Sequence, residues 1–419
     1  MKQLKIIGAV GGAIVLAACW PLAVGQIGEK VITNGIANIS SGSIEADIVS
    51  YKRGYLSSTV QTRYQIADKT LKQQLVADGL PTQVLVNSEV KHGLLSLTAT
   101  SVIADQENLP LTMTSITQLN GNTQYTVALD SWHYQSEDGE MTFSTTPATL
   151  KGDISVLGEI TYQLNVPSVE LDFTSGEKMM LSQLTGQGIG KQDKGFWLGQ
   201  QSLVLAKINL VDGLGENTLS MDNMRYSFDS VLKGEPSRFD SNHLIEMDKL
   251  TYSEGEVKDL NLDFTLGDLD GDAFEKLSTL YQNSPELSDE DIQQALPYVQ
   301  SLFEKGFYLS MNKMALKVGQ GEFESNWKIA VPEGTNNVVQ DPSTILPALT
   351  GHIDTFISDQ LVEDFPFIQQ GIDELVVMEI MQQTDQGYRL QAELKEGNLE
   401  FENGNQMPLL TLLLPALMR

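Results

Sequence analysis

The chain has 419 residues, and its hydrophobic fraction of 41% and charged fraction of 20% are typical of a folded protein. This length exceeds the size at which a single hydrophobic core usually stops growing, which predicts two lobes or one elongated body. The formal net charge of −28 predicts repulsion from nucleic-acid phosphates and from anionic lipid headgroups, because clustered lysine and arginine are needed to bind either. The composition therefore argues against nucleic acid as a partner.

The first element along the chain is an apolar segment with no charged residue between positions 6 and 28. As a helix, residues 6–24 would rise roughly 28 Å, close to the hydrocarbon thickness of about 30 Å in a bilayer. The membrane-anchor residues of this segment, which we place at 1–25, are Ile6, Ile7, Ile14, Val15 and Leu16. Lys2 and Lys5 precede them, and the positive-inside rule keeps such an N-terminus in the cytoplasm. These features predict a single-pass protein of the bacterial inner membrane with its body in the periplasm.

Cys19 opens a second interpretation of the same segment. Leu16-Ala17-Ala18-Cys19 follows a short basic start and an apolar run, as a bacterial lipobox does, so the body would be a lipoprotein tethered through a lipidated Cys19. Residues 20–25 remain apolar, which favours the uncleaved anchor, and a cleaved soluble product is the third alternative. Cys19 is the sole cysteine, so no intramolecular disulfide can form. Residues 26–39 are predicted to link this segment to the body.

Residues 40–266 are predicted to form a β-rich body, because apolar and polar residues alternate with a period of two. The first strands are predicted to form a hairpin over residues 44–66, with Gly54 at the turn. Similar runs recur at residues 125–129, 203–211, 260–266, 323–331 and 388–394. The run at 203–211 is apolar at both odd and even positions, which suits either a buried strand or a lipid groove. The glycine-rich residues 186–191 are predicted to be a flexible loop.

Residues 267–385 are predicted to contain amphipathic helices. Apolar residues repeat at helical spacing in four places, which are Phe274-Leu277-Tyr281, Ile292-Ala295-Leu296-Val299-Leu302, Leu349-Ile353-Phe356-Ile357-Leu361 and Ile368-Ile372-Leu375. Ser288 with Asp291 marks the start of the second helix, and Pro297 is expected to split it. Residues 386–419 are predicted to form a C-terminal hairpin and an apolar tail. The predicted fold class is α+β, dominated by an extended antiparallel sheet, flat or curved, with one N-terminal membrane helix.

The sequence supplies no catalytic, metal or cofactor motif. Asp268-Leu269-Asp270-Gly271-Asp272 resembles a calcium loop, but Ala273 stands where an EF-hand needs glycine and Thr279 where it needs glutamate. The four histidines, His92, His133, His243 and His352, are too far apart in sequence to form a zinc motif, and each is predicted to be structural or exposed. There is no G-x-S-x-G motif, and Cys19 lies in the anchor. We therefore predict neither an enzyme nor a cofactor.

Several short stretches follow one another along most of the chain in a recognisable order. They are Ser50-Tyr51-Lys52-Arg53-Gly54-Tyr55-Leu56-Ser57-Ser58, Lys91-His92-Gly93, Gly199-Gln200-Gln201-Ser202-Leu203-Val204-Leu205, Gly267-Asp268-Leu269-Asp270-Gly271-Asp272-Ala273-Phe274 and Gly397-Asn398-Leu399-Glu400-Phe401-Glu402-Asn403-Gly404. In these stretches the chain resembles the YdgA-like (YdgA/YihF) family of bacterial envelope proteins of unknown function. The resemblance singles out ten structural positions, Tyr51, Arg53, Gly54, Ser57, His92, Gly93, Asp270, Gly271, Asn403 and Gly404. It implies one N-terminal anchor, a periplasmic domain able to self-associate, and no catalytic residue.

Two roles are compatible with these features. The first is a non-catalytic envelope binding or assembly protein, in which a sheet offers edges and a face to an envelope protein or to a second copy. The second is a lipid-binding or lipid-transfer protein with an apolar β-groove. A hydrolase using two carboxylates is the least favoured alternative. In each case the anchor contacts cytoplasmic-membrane lipids.

Overall fold

The computed structural model describes residues 44–77, 82–104, 109–136, 138–193, 196–283 and 288–411. The predicted anchor with Cys19, the linker at 26–39 and the end of the apolar tail lie outside these ranges. Within the described ranges, no helix is both long enough and apolar enough to cross a bilayer. The chain divides into two compact units, Met1–Ser175 and Gly176–Arg419, and their boundary lies inside the region predicted as one β-rich body.

Antiparallel strands form nearly all of the described part of unit 1. Its elements are β1 (Ile44–Arg53), β2 (Ser57–Ile66), helix α1 (Lys69–Ala77), β3 (Gln83–His92), β4 (Ser96–Ile103), β5 (Leu111–Gln118), β6 (Thr123–Leu129), β7 (Trp132–Gln135), β8 (Met141–Thr145), β9 (Ala148–Ile154) and β10 (Glu159–Phe173). From β1 to β6, each strand pairs with the next one along the chain. The predicted hairpin at residues 44–66 is confirmed as β1 and β2.

Two strands of this sheet are interrupted. The first consists of β6 followed by β7, and the second of β8 followed by β9. β6 and β7 pair with β9 and β8 in a single register, since Thr123 faces Ile154 and Trp132 faces Thr145. β9 and β8 pair in turn with the two halves of β10. Pro147 stands in the interruption between β8 and β9, where its missing N–H removes a ladder donor. Unit 1 is thus an up-and-down meander whose neighbours in the chain are neighbours in the sheet.

Unit 2 is a second antiparallel meander with longer strands and with helices between its later strands. Its elements are β11 (Lys178–Asp193), β12 (Phe196–Val211), β13 (Asn217–Lys233), β14 (Arg238–Tyr252), β15 (Gly255–Asp270), α2 (Gly271–Asn283), α3 (Asp289–Lys305), β16 (Phe307–Val318), β17 (Gly321–Val331), a 3₁₀ turn (Pro342–Thr344), α4 (Ile345–Ala348), β18 (Thr350–Ser358), α5 (Asp359–Asp364), α6 (Pro366–Val377), β19 (Gln382–Gln383), β20 (Gly387–Lys395), β21 (Asn398–Phe401) and β22 (Gln406–Pro408). Strands β11 to β18 pair in chain order, β20 pairs with β18, β19 and β21, and β21 pairs with β22. The β-dominated antiparallel fold predicted from the sequence is confirmed.

A transverse row of left-handed residues crosses the long strands of unit 2. Gln183, Asn223 and Asp259 have φ values of 53°, 52° and 51°, and they lie on β11, β13 and β15. The pairing register places Ala206 of β12 and Asp248 of β14 between them in the same row. Left-handed backbone is costly for residues other than glycine, so its repetition in one row is a constraint that the whole sheet imposes.

This row changes which residues of each strand face the apolar side. In a regular strand, residues two apart share a face, but a left-handed residue places its two neighbours on opposite faces. In β12 the apolar positions change from Leu203 and Leu205 to Ile208 and Leu210, and in β13 they change from Leu219 and Met221 to Met224 and Tyr226. Residues 203–211 therefore look apolar at both odd and even positions mainly because the residues that face the apolar side change from odd to even at this row.

Asn223→Val is expected to lower the free energy of unfolding by about 1–2 kcal/mol, because a β-branched side chain is strongly disfavoured at positive φ. The change also removes the 2.8 Å hydrogen bond from Asn223 Nδ2 to Asp248 Oδ2. Asn223→Gly loses the same hydrogen bond but tolerates the backbone conformation, so it serves as the control. Urea unfolding that gives equal losses for the two variants would contradict a backbone origin of the effect.

Three of the four predicted helices are confirmed, and one is wrong. Helix α3 begins at a capping box in which Ser288 and Asp291 bond each other's backbone N–H, and Pro297 lies inside the helix without splitting it. Residues 350–358 of the predicted third helix form strand β18, which pairs with β17 and β20. Their β-branched residues Ile353, Thr355 and Ile357 share one face of that strand, and the hydrogen bonds available on both edges outweigh the helical spacing.

The prediction of a flexible loop at residues 186–191 is also wrong. These residues lie inside β11 and pair with residues 198–203 of β12. A Cβ atom added to Gly190 would lie 2.6 Å from Cε2 of the Trp197 indole. The glycine is there because an aromatic ring of the neighbouring strand approaches its backbone closely.

Candidate functional site

One face of the unit 2 sheet is apolar across five neighbouring strands, β12 to β16. Directly paired residues of an antiparallel sheet point to the same side, so the register defines rows across the sheet. Three consecutive rows make up what we call the apolar face, and they are Leu205-Met224-Met247-Leu260, Leu203-Tyr226-Ile245-Leu262-Met314 and Gln201-Phe228-His243-Phe264-Met311. The adjacent row on the opposite face contains Val204, Arg225, Glu246 and Asn261, with Arg225 Nη1 3.7 Å from Glu246 Oε2. The sheet is therefore apolar on one side only.

Helices cover the continuation of this face over β17 to β21. Ile353, Ala392 and Leu394 pack there with Leu346 of α4 and Leu375 of α6 in a buried cluster. A second buried cluster joins Val362 of α5 and Ile372 of α6 to Ile357 and Tyr388 of the sheet. These clusters form the compact core of unit 2.

Over β12 to β16 the same face is only partly covered. Its members are half-buried, with Met247 the fully buried exception. Helices α2 and α3 contact the sheet where β14 starts and β15 ends. The ring of Phe274 stacks there on that of Phe239, with centroids 5.0 Å apart. The apolar face is thus a half-buried surface beside the helix-covered core of unit 2.

A histidine lies on the middle strand of the apolar face, β14. The Tyr226 hydroxyl and His243 Nδ1 are 2.9 Å apart, and the imidazole ring lies 4.9 Å from the Phe228 ring and 6.3 Å from the Phe264 ring, measured between centroids. Burial lowers the pKa of His243 and raises that of the Tyr226 phenol, because both charged forms are desolvated there. Both groups are therefore neutral near pH 7 and offer one polar position within an apolar surface.

The depressed pKa of His243 predicts a pH dependence of stability. Between the usual imidazole pKa of about 6.5 and the lower value in the folded chain, the unfolded chain binds more protons, so stability falls as the pH is lowered through this window. His243→Phe keeps an aromatic ring and removes the titration. The urea midpoint of the wild type is expected to fall relative to that of the variant between neutral pH and about pH 5.5. Parallel pH profiles of the two proteins would contradict this prediction.

The Asp270-Gly271 pair lies where β15 passes directly into α2. Asp270 is only 2% exposed, and its Oδ2 accepts a 3.0 Å hydrogen bond from Ser301 Oγ while Lys305 Nζ lies 2.9 Å from its Oδ1. Arg238 donates to the carbonyl oxygens of Lys305 and Gly306 at the end of α3 and to Asp268 Oδ1. The acidic stretch at residues 268–272 thus contributes to a junction between the sheet and the two helices.

Asp270→Ala is expected to destabilise the chain by about 2–3 kcal/mol, because Ser301 and Lys305 lose a buried acceptor. Lys305→Met is expected to cost a similar amount by leaving the buried carboxylate without its cation. The double variant should lose less free energy of unfolding than the sum of the two single losses, and the difference should exceed about 1 kcal/mol. Chemical denaturation of the four proteins measures this coupling, and additive losses would exclude a direct interaction.

The two glycine hairpin motifs lie side by side in unit 1. Tyr51 and Arg53 are on β1, Gly54 N–H donates to the Ser57 carbonyl at 2.7 Å, and Ser57 pairs with Lys91 beside His92. Gly93 closes the next turn in the same way, through its N–H and the Ser96 carbonyl at 2.9 Å. The pairing of β2 with β3 therefore brings together motifs that are almost forty residues apart in the sequence.

His92 links these two turns from a buried position. Its Nε2 is 2.9 Å from Ser58 Oγ and its Nδ1 is 3.2 Å from the Tyr55 carbonyl oxygen. This geometry resembles that of a nucleophile with its general base. Ser58 is only 1% exposed and His92 is buried, so an electrophile has no path to the Ser58 hydroxyl. The pair fixes the turn at residues 54–57.

The remaining predicted positions are structural as well. Asn403 Nδ2 donates a 2.6 Å hydrogen bond to the Glu379 carbonyl oxygen, and Gly404, with φ of 85°, completes the turn between β21 and β22. Among the described residues, no group of three or more histidine, cysteine, aspartate and glutamate side chains is arranged to hold a metal ion. Ile6, Ile7, Ile14, Val15, Leu16 and Cys19 lie outside the described residues.

A family of bacterial proteins matches nearly the whole chain. Residues 1–410 match the family described as a bacterial protein of unknown function, DUF945. The chain belongs to this family. No curated protein and no solved structure matches the DUF945 chain significantly. The family match extends over both units, so the hairpin motifs, the apolar face and the helical junction all belong to the DUF945 region.

The sequence motifs do not predict that His243 of the DUF945 chain lies among aromatic residues on the apolar face. His243 was grouped with the other histidines because no ligand motif surrounds it, although aromatic residues stand at Tyr226, Phe228 and Phe264. His243 and these aromatic residues lie on β13, β14 and β15, and only the strand register shows that they meet. The signal available in the sequence is the spacing of Tyr226 and Phe228, because residues two apart share one face of a strand.

Proposed function

We propose that this DUF945 protein binds acyl chains on the apolar face of unit 2 while it is tethered in the bacterial envelope. The observation that carries this proposal is that buried clusters form where helices pack on the sheet over β17 to β21, whereas the apolar face over β12 to β16 is only half-buried. A contiguous apolar surface that folding leaves only half-buried suits a ligand or lipid site. The neutral Tyr226-His243 pair supplies a hydrogen-bonding group for the polar end of an acyl lipid.

The size of the apolar face supports this assignment. Five strands spaced by about 4.8 Å extend the face over roughly 19 Å. This exceeds the roughly 15 Å thickness of one hydrocarbon leaflet, which is half of a bilayer core of about 30 Å. An acyl chain lying across the strands would therefore remain in contact with apolar side chains over most of its length.

The tether and the compartment form the second part of the proposal. Lys2 and Lys5 precede the apolar segment, and the residues beyond position 28 carry 25 basic against 55 acidic side chains. This asymmetry favours an inner-membrane anchor with the body in the periplasm, and a lipidated Cys19 would place the body in the same compartment. The hairpin stretches around Gly54 and Gly93 support the resemblance to the YdgA/YihF-like family.

Photocrosslinking with a diazirine fatty acid tests the proposal on the full chain in cells. Cells incorporate the probe into their phospholipids, the protein is purified after irradiation, and the lipid adducts are mapped by mass spectrometry. We expect adducts on peptides of β12 to β16 and fewer on β17 to β21, where helices cover the same face. Adducts confined to residues 1–43 would show contact with the bilayer by the N-terminal segment alone and would overturn acyl binding by the sheet.

A second candidate function, self-association, is favoured by helix α6. Phe367 is 80% exposed, Val377 is 83% exposed, and Met378 beyond the helix end is also exposed. Val377 and Met378 border a shallow depression of about 550 Å³ that is also lined by Gln370 and Glu374. A photocrosslinking amino acid at position 367 is expected to yield a covalent dimer in intact cells. Recovery of monomer alone would count against this surface as a contact between two copies.

A further inference from the structure

Four hairpin tips at one end of the unit 1 sheet carry exposed apolar side chains where turns are ordinarily polar. The tips connect β1 to β2, β3 to β4, β5 to β6 and β9 to β10. We call their large aliphatic residues the apolar crest, which consists of Leu56, Leu94, Leu95, Leu119, Val156 and Leu157. Leu95 is 72% exposed and Leu157 is 87% exposed. These side chains contribute little to the core of unit 1, so their presence requires another explanation.

The crest is continuous because neighbouring tips contact one another. The N–H of His92 donates to the Leu56 carbonyl oxygen at 2.8 Å, and the N–H of Leu119 donates to the Leu95 carbonyl oxygen at 3.2 Å. The N–H of Val156 donates to Asn122 Oδ1 at 3.0 Å in the last pair of tips. With strands about 4.8 Å apart, the crest extends over roughly 29 Å from the first tip to the fourth. It is a narrow ridge of apolar side chains along the end of the sheet.

Three basic residues lie near the first two tips of the crest, in a chain that is otherwise strongly acidic. The stretches 50–58 and 90–98 contain Lys52, Arg53 and Lys91 and no acidic residue, while the chain carries a net charge of −28. Glu89 lies in the same row of the strand register as Lys52, and Asp153 and Glu159 lie in the fourth hairpin. Repulsion from distant carboxylates is screened beyond about 10 Å at ordinary ionic strength. The three basic residues therefore offset, at the first two tips, the repulsion from anionic headgroups that the net charge predicts.

We propose that the apolar crest docks unit 1 on an anionic phospholipid surface. Leucine side chains enter the interfacial region, and the lysine and arginine side chains beside them reach phosphate groups at the same depth. Tyr55, exposed in the first tip, is of the residue type that favours this interface. A ridge of six aliphatic residues suits shallow insertion, because a stable protein interface uses about 20–30 residues on each side. This proposal rests on the crest alone and is independent of acyl binding by unit 2.

Site-specific depth quenching tests the proposal with the full chain. In a Cys19→Ser background, single cysteines replace Leu95, Leu157 or Leu214 and carry the environment-sensitive fluorophore NBD. Leu214 is 88% exposed at a hairpin tip of unit 2 between Asp212 and Glu216, so it is the matched control without neighbouring basic residues. The chain is reconstituted in vesicles of phosphatidylcholine, with or without phosphatidylglycerol. Spin-labelled lipid is placed either in these vesicles or in separately added ones. The arrangement that quenches the probes shows whether the crest contacts the membrane that holds the chain or a second membrane.

We expect the probes at positions 95 and 157 to shift to shorter wavelength and to be quenched by spin-labelled lipid, more strongly when phosphatidylglycerol is present. The probe at position 214 should remain in water. Quenching of the crest probes in neither arrangement would overturn the proposal. A blue shift without quenching would also overturn it, because it would place the crest against protein, most simply a second copy. Equal quenching of all three probes would show unspecific adsorption and would equally refute docking by the crest.

A charge variant separates docking by the crest from general hydrophobic contact. Lys52→Gln with Lys91→Gln is expected to weaken capture of added anionic vesicles roughly 30-fold, since each basic residue contributes about 1 kcal/mol near such a surface. Lys178→Gln with Lys207→Gln, which removes the same charge from unit 2, is the control. An equal effect of the two pairs would contradict a specific role for the residues beside the crest.

Discussion

Replacing Leu205 and Ile245 together by glutamine is expected to weaken binding of a fluorescent fatty acid roughly 100-fold. Both residues lie on the apolar face of unit 2, in adjacent rows of the strand register. Loss of apolar contact with the ligand costs about 1.5 kcal/mol for each side chain, or about 3 kcal/mol together. Fluorescence titration of the purified full chain measures the effect, and circular dichroism shows whether both variants remain folded.

The matched control for this variant is Val204→Gln with Glu246→Gln. These residues immediately adjoin the first pair in sequence, on the same two strands, but they belong to the row on the opposite, polar face. The control is expected to bind the fatty acid like the wild type. Equal weakening by both double variants would mean that binding depends on the general integrity of the sheet. Unchanged binding by Leu205→Gln with Ile245→Gln would place the fatty acid elsewhere.

His92→Ala is expected to lower the free energy of unfolding of unit 1 by about 3 kcal/mol, because two buried polar groups lose their partner and a cavity remains. The groups are the Ser58 hydroxyl, 2.9 Å from His92 Nε2, and the Tyr55 carbonyl oxygen, 3.2 Å from His92 Nδ1. Since this histidine also fixes the first tip of the apolar crest, docking on anionic vesicles should weaken in the same variant. Chemical denaturation and vesicle capture measure the two effects.

His133 provides the comparison within the same unit. It bonds Ser144 Oγ at 2.9 Å but is exposed, so His133→Ala is expected to change stability by less than about 0.5 kcal/mol. Ser58→Ala with His92→Phe removes both polar groups of the buried pair and should recover part of the loss. If His92→Ala proves as mild as His133→Ala, the buried pair does not hold the turn.

Local patterns in the sequence were sufficient for the first hairpin and for most helices. The alternation at residues 44–66 specified β1 and β2, and the Ser288-Asp291 capping box specified the start of α3. These signals are local, because a turn or a cap is made by residues a few positions apart. The pattern failed at residues 350–358, where the apolar spacing fits a helix but pairing with β17 and β20 on both edges decides for a strand.

The sequence also contained the charge asymmetry, the apolar N-terminal segment and the lack of catalytic motifs, because composition and short spacing determine these features directly. It could not show that residues 203–211 belong to one apolar face. That depends on the left-handed row at Gln183, Asn223 and Asp259, which changes the facing residues of several strands together. In a single strand this change appears only as a run that is apolar at both odd and even positions, which a strand buried on both faces also shows.

Only the tertiary structure decided where apolar surface is covered and where it remains exposed. Helices α4 to α6 bury the face over β17 to β21, although the residues of β12 and β13 are equally apolar in sequence. The apolar crest likewise depends on the meander, since Leu56 and Leu157 are about a hundred positions apart and only antiparallel pairing sets their tips on one ridge. The sequence determines which residues are apolar. The long-range pairing of strands determines which of them meet, and therefore which surfaces are left for a ligand or a membrane.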